Sequence, residues 1–219
     1  LELAAQFRVL VPDLPGFGSS SLPPPNIGIQ DYAAEVTRTL RQLIPSGASI
    51  RIAGFSFGCR VAGQLAAAWP GAVERLFLIA PGGLPLPRPS VPMLRRAGTE
   101  ADDVEHLNAH RYNLRAIMFA DPAMADDLAV TIQTRNVAEA KYRIKMLRDD
   151  ESLHRAISTL DIRIIGIWGA ADRYSTGLMD TRIHYMRHEI RSGAAFIIPN
   201  AGHWVMHEKA QETNSLLSN

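Results

Sequence analysis

The chain has 219 residues, 47% of them apolar, with a net charge of +1 and one cysteine, enough for one domain or one domain with an insertion. This balance argues against both a disordered chain and a charged nucleic-acid surface, and no run reaches the ~20 apolar residues of a membrane helix. Cys59 has no partner for an internal disulfide, which fits a reducing compartment, so the expected location is the cytoplasm.

Residues 1–6 read as the tail of a helix, and Phe7-Arg8-Val9-Leu10-Val11 as a strand. After the break at Leu22-Pro23-Pro24-Pro25, the apolar run Ser49-Ile50-Arg51-Ile52-Ala53 leads into Gly54-Phe55-Ser56-Phe57-Gly58, and a helical pattern follows from Cys59 to Trp69. Gly-x-Ser-x-Gly between a strand and a helix is a nucleophile elbow. The turn is expected to be so tight that the positions two before and two after the serine must be glycine. Ser56 then sits at the apex in strained backbone, its hydroxyl free to meet a substrate. The helix N-terminus faces the place where an oxyanion develops, and the N–H of Phe57 is the expected donor. Phe55 and Phe57 flank the serine and make the site apolar, with Phe55 a substrate-contacting residue. Cys59, on the first turn of the helix, reads as a small buried side chain.

Leu76-Phe77-Leu78-Ile79-Ala80-Pro81 continues the sheet, and the prolines between 81 and 92 mark the exit into a different region. From 90 to 159 the pattern is helical and charged. Val104, Leu107, Leu114 and Met118 share one predicted helix face, Asp121-Pro122 makes a helix start, and Met124, Leu128 and Ile132 repeat every four residues. The region reads as a helical lid of roughly seventy residues, dividing the chain into core (1–87), lid (88–160) and core (161–219). Sheet periodicity resumes at Ile162, and 205–217 closes the chain as a helix. The predicted class is α/β: a mostly parallel sheet wrapped by helices, with an inserted helical lid.

A serine hydroxyl is a poor nucleophile unless a base takes its proton and a third group fixes that base in one tautomer. Asp172 follows the strand-like run Ile162-Arg163-Ile164-Ile165-Gly166-Ile167-Trp168 and the turn Gly169-Ala170-Ala171. His203 follows Phe196-Ile197-Ile198-Pro199 and the turn Asn200-Ala201-Gly202. Each lies just past the C-terminal end of a strand, where open α/β sheets place their chemistry, and the order Ser…Asp…His fits the elbow. Asp161 precedes its strand and Asp180 lies on the next helix. Most of His106, His110, His154, His184 and His188 fall on charged helical segments, and His207 faces outward from the last helix. No cysteine–histidine cluster suggests zinc, and Gly16-Phe17-Gly18 lacks the spacing of a dinucleotide fingerprint. Neither metal nor cofactor is expected.

Together Val11-Pro12-Asp13-Leu14-Pro15-Gly16-Phe17-Gly18-Ser19-Ser20, the elbow at Ser56, the 76–81 segment, Trp168-Gly169-Ala170-Ala171-Asp172 and Gly202-His203-Trp204 resemble the α/β-hydrolase superfamily. Gly202-His203-Trp204 followed by Glu208 is similar to hydrolases that cleave carbon–carbon bonds in ring-fission products of aromatic catabolism, and to related esterases. That resemblance implies a lid arginine that pairs with a substrate carboxylate, a role Arg135 in Gln133-Thr134-Arg135-Asn136 matches. It makes Trp204 a pocket wall or packing residue beside the base. Phe55 departs from it, because the carbon–carbon hydrolases carry a polar residue before the serine. The superfamily pattern further implies strands ahead of residues 7–11, one ending in a His-Gly loop that donates a second oxyanion N–H. No His-Gly precedes Ser56, so the sequence is expected to be a catalytically impaired fragment of a longer chain. The expected function is a bacterial serine hydrolase of a small, largely apolar carboxylic ester. Its expected partner is a small-molecule substrate, with neither nucleic acid nor membrane, and a homodimer is left open. The alternatives are carbon–carbon hydrolysis of a ring-fission diketone and an inactive binding module.

Overall fold

Four apolar runs form the sheet: β1 (Ile50–Phe55), β2 (Val73–Ile79), β3 (Arg163–Gly169) and β4 (Gly193–Ile198). In the computed structural model, which describes residues 2–98, 100–143, 147 and 151–219, they pair in parallel in the order β1-β2-β3-β4. The predicted α/β class is thereby borne out. β2 and β3 are covered on both faces, so Leu76-Phe77-Leu78-Ile79 and Ile164-Ile165-Gly166-Ile167 are unbroken apolar runs.

Alternate residues of these strands point to different helical layers. On one face Leu76, Leu78, Ile164 and Trp168 meet Cys59, Ala62 and Ala66 of α2 (Phe57–Ala68) and Leu153 and Ile157 of α5 (Ser152–Ile157). Tyr185, Met186 and Ile190, which follow α6 (Met179–His184), complete that layer. On the other face Phe77, Ile79, Ile165 and Ile167 meet Val205 of α7 (Val205–Glu208) and Leu216 and Leu217 of α8 (Ala210–Ser218). Each fully buried leucine or isoleucine stabilises the fold by roughly 1.5–3 kcal/mol. Outside α2 lies α1 (Ile29–Leu43), which buries Ile29, Tyr32, Ala33 and Val36 at helical spacing against Val61 and Leu65. Tyr32 also donates its hydroxyl to Pro15 O at 2.7 Å, and Lys141 N–H donates to Gly16 O at 2.9 Å, so the glycine-rich loop is held from two sides.

Between β2 and β3 the chain leaves the sheet. The insertion contains α3 (Asp103–Asn113), a π-helical turn (Leu114–Met118), a 3₁₀ turn (Pro122–Met124) and α4 (Asp127–Glu139). Asp102 caps α3 by accepting from Glu105 N–H, and Asp126 caps α4 by accepting from Ala129 N–H. Leu114, Phe119, Ala125, Ala129 and Val130 form a small core of its own. α5, by contrast, packs into the sheet core, so the change from insertion to core packing comes before residue 152.

Three local expectations are corrected. Residues 7–11 belong to no strand, with Val11 87% exposed. β1 is the sheet edge among the described residues, and a lone extended segment has no ladder to offset its ordering cost. Residues Leu3–Ala5 form one 3₁₀ turn. In the insertion the predicted apolar faces hold only in part: Leu114 is buried and Met118 packs beside it as expected, but Val104 and Leu128 are 64% and 61% exposed, and in α4 Ala129 and Val130 are buried instead. The cause is the start of α4. Asp121 caps only the short turn by accepting from Ala123 N–H, and the α-helix begins after Asp126, which sets Ala129 and Val130 inward. Among the described residues no helix is long and apolar enough to cross a membrane.

Candidate active site

Ser56 has φ 49° and ψ −111°, a conformation that costs a non-glycine residue ~1–3 kcal/mol. Its surroundings enforce it. Ser56 N–H donates to Ile79 O at 2.9 Å, and Ser56 O accepts from both Cys59 N–H and Gly82 N–H at 3.2 Å, so the elbow is tied to the chain leaving β2. At Gly54 a Cβ would lie 2.6 Å from Gly58 O and 2.7 Å from the Cys59 Cα, which makes glycine obligatory there. Gly58 differs from expectation: a Cβ there meets nothing within 4 Å, so no steric need holds glycine on that side of the serine. Cys59 is fully buried and its thiol donates to Gly54 O at 3.0 Å; burial pushes its pKa far up. Among the described residues the Ser56 hydroxyl makes no hydrogen bond, and the Phe57 N–H, first in α2, has no acceptor.

The structure brings Asp172 and His203 together, both buried, at 1% and 5% exposure. Nδ1 of His203 lies 3.1 Å from Oδ1 and 3.2 Å from Oδ2 of Asp172. The same carboxylate accepts from Tyr174 N–H at 2.9 Å and from the Ser175 hydroxyl at 3.3 Å, so its lone pairs are met within the turn. A carboxylate only accepts, so Nδ1 carries the hydrogen and the Nε2 lone pair faces the other way. The Phe55 ring lies 5.0 Å from the imidazole and so joins the elbow to the histidine.

Sequence reasoning missed three neighbours. The Tyr174 ring also packs against the imidazole, at 4.6 Å; burial first, and then the Asp172 charge, raise its phenol pKa. Ser175 is buried against Asp172. Arg182, also buried, donates to Tyr174 O at 2.8 Å, Leu178 O at 3.2 Å and Pro87 O at 3.3 Å, pinning the Asp172 turn to the segment after β2. Burial pushes its pKa down, and the Asp172 charge opposes that. Position within the turn after Asp172 was the available signal for the first two, and Arg182 had none.

Of the remaining expected residues, Trp204 packs onto the insertion next to His203 and Arg135 lies at the surface. Trp204 N–H donates to Met118 O at 2.9 Å, and its ring packs edge-on against Phe119 at 5.5 Å, within the insertion's core. His207 is half-buried rather than outward, 5.4 Å from Phe119. Arg135 is not brought to the serine: its side chain is 76% exposed and pairs with Glu139 at 2.8 Å. A cavity of about 430 Å³ lies where the insertion meets the loops after β3 and β4, lined by Ala120, Asp121, Ala170, Ala171 and Asn200. Among the described residues no group of three or more His, Cys, Asp and Glu is placed to hold a metal ion.

Comparison with known proteins places the chain in a family. Uncharacterized proteins of Mycobacterium tuberculosis (strain H37Rv) and Mycobacterium bovis are each 26% identical over 233 residues, covering 94% of this chain and 65% of their own length. The chain thus spans about two thirds of the curated relatives it matches. Among solved structures, the 2-hydroxy-6-oxo-6-phenylhexa-2,4-dienoate hydrolase BphD from Rhodococcus sp. strain RHA1 is similar, with a TM-score of 0.71 at 21% identity over 99% of this chain and 80% of that one. A thermophilic esterase from Thermogutta terrifontis has a TM-score of 0.69 at 19% identity, again over 99% and 80%. The meta-cleavage product hydrolase CumD from Pseudomonas fluorescens IP01 has 0.70 at 20% identity, over 98% and 79%. These likenesses establish a shared fold. A profile of the alpha/beta hydrolase family matches residues 1–216, and the chain belongs to that family.

Proposed function

We propose that this chain carries the catalytic centre of a serine hydrolase acting on a small, largely apolar carboxylic ester, with the helical insertion as its lid. The observation that carries the reading is the buried Asp172–His203 pair, joined through the Phe55 ring contact to the elbow that holds a strained, unbonded Ser56. In the proposed reaction Ser56 Oγ bonds to the ester carbonyl carbon while its proton passes to His203 Nε2. The Phe57 N–H stabilises the oxyanion. Collapse of the tetrahedral intermediate expels the alkoxide, which takes the proton from Nε2. Water, deprotonated by His203, then releases the acid and restores Ser56. Asp172 holds the imidazole tautomer and stabilises the imidazolium. The rings of Phe55 and Tyr174 both pack against the imidazole, which supports an apolar substrate of low charge.

The test is hydrolysis of p-nitrophenyl esters of graded acyl length by the wild-type chain and Ser56→Ala. A loss of about 10³-fold or more in the variant is expected. Equal rates in the two proteins would overturn the assignment. The second reading, carbon–carbon hydrolysis, is favoured by the likeness to the meta-cleavage product hydrolase CumD and to BphD, whose name gives a 2-hydroxy-6-oxo-dienoate as its substrate. The exposed Arg135–Glu139 pair weighs against it. Consumption of a 2-hydroxy-6-oxodienoate faster than any ester would make it the better account.

A further inference from the structure

Glu208, on α7, accepts three backbone N–H groups from two distant parts of the chain. Oε1 takes Ala120 N–H at 2.8 Å and Asp121 N–H at 3.0 Å, and Oε2 takes Gly202 N–H in a short bond. Ala120 and Asp121 carry the insertion from its π-helical turn to its 3₁₀ turn, and Gly202 immediately precedes His203. The two segments touch backbone to backbone: a Cβ on Gly202 would lie 2.5 Å from Met118 O and 2.8 Å from Ala120 N. The Trp204 N–H bond to Met118 O and the Trp204–Phe119 ring contact continue the seam on the far side of His203.

We propose that Glu208 is a positioning residue that fastens the insertion to the His203 loop, so that the orientation of the imidazole depends on how the insertion is seated. The role in turnover rests on the reading of His203 as the base. A carboxylate is required because both sides of the junction present donors. A glutamine turns its NH₂ toward one of them whichever way it flips, releasing either the insertion or the loop. An aspartate keeps both acceptors but is one methylene too short to reach both segments.

The experiment compares wild type, Glu208→Gln and the milder Glu208→Asp by three readouts. These are amide hydrogen exchange, the downfield Nδ1 proton of His203 in the NMR spectrum, and the rate of fluorophosphonate labelling. Exchange on at least one side of the junction, at Ala120 and Asp121 or at Gly202, is expected to accelerate by about tenfold or more, while amides of β2 and β3 stay protected and certify the fold. The His203 proton, identified by its loss in His203→Ala, should broaden or shift, and labelling should slow about tenfold or more. Faster exchange with an unchanged His203 proton and unchanged labelling would overturn the proposal, leaving Glu208 a structural tie. Unchanged exchange at Ala120, Asp121 and Gly202 would overturn it as well. If the wild type takes no label, the hydrolase reading fails by itself, and the exchange and His203 proton still decide the coupling.

Discussion

Nδ1 of His203 lies 3.1 Å from Oδ1 of Asp172, although 31 residues separate them in the chain. The contact exists because β3 and β4 are parallel neighbours and both residues sit just past their C-terminal ends. Asp172→Asn keeps the volume but places an NH₂ among the donors that now converge on the carboxylate. The account predicts a fall in kcat for ester hydrolysis of about 10³–10⁴-fold with the fold retained. Steady-state kinetics alongside circular dichroism check it, and a loss below tenfold would show that Asp172 does not orient the base.

The two glycines of the elbow are predicted to behave differently. Gly54→Ala forces a methyl group against Gly58 O and the Cys59 backbone and should destabilise the protein by about 1–3 kcal/mol. Gly58→Ala fills open space on the first turn of α2 and should leave stability unchanged or raise it by about 0.5–1 kcal/mol. Urea unfolding of both variants gives the answer, and equal losses would contradict the asymmetry.

Arg135 should contribute little to turnover. Its guanidinium is held at the surface by Glu139, a pair of the exposed i, i+4 kind. Arg135→Ala is predicted to leave kcat and KM for both neutral and carboxylate-bearing substrates within about twofold. A selective rise in KM for the carboxylate-bearing substrate would restore Arg135 to the site and favour carbon–carbon hydrolysis.

Asp13 accepts both the N–H and the hydroxyl of Ser19, each at 3.0 Å, and these bonds hold its pKa below the ordinary carboxylate value. A depressed folded pKa contributes stability that is present above the unfolded pKa and lost as pH falls through the folded one. Ser19→Ala removes the hydroxyl bond, so the Asp13 titration should move upward and the stability lost between the unfolded and the folded pKa should shrink. Carbon-detected NMR titration of Asp13 in both proteins measures the shift, and an unmoved titration would contradict the assigned cause.

Asp172, His203 and the elbow were legible because each stands where a strand pattern meets a turn, and that junction is written in neighbouring residues. Cys59 was legible for the same reason, as the inward position of a short apolar helix. The strand expected at 7–11 was not, because an apolar run becomes a strand only beside a partner, and pairing is not local information. The face of α4 was misread because several apolar stripes satisfy one helical period and the Asp126 cap decides which one turns inward. Arg182 acts through contacts made only after the turns pack, so no spacing in the chain announces it, and the three bonds that Glu208 accepts become visible only once the insertion is seated.

The most direct test is covalent labelling of the wild type, Ser56→Ala and His203→Ala with a fluorophosphonate, read by intact mass. The account predicts one adduct on the wild type, mapped to Ser56, with none on either variant. Labelling of Ser56→Ala equal to that of the wild type, or a folded wild type that takes no label, would contradict an activated serine at the elbow.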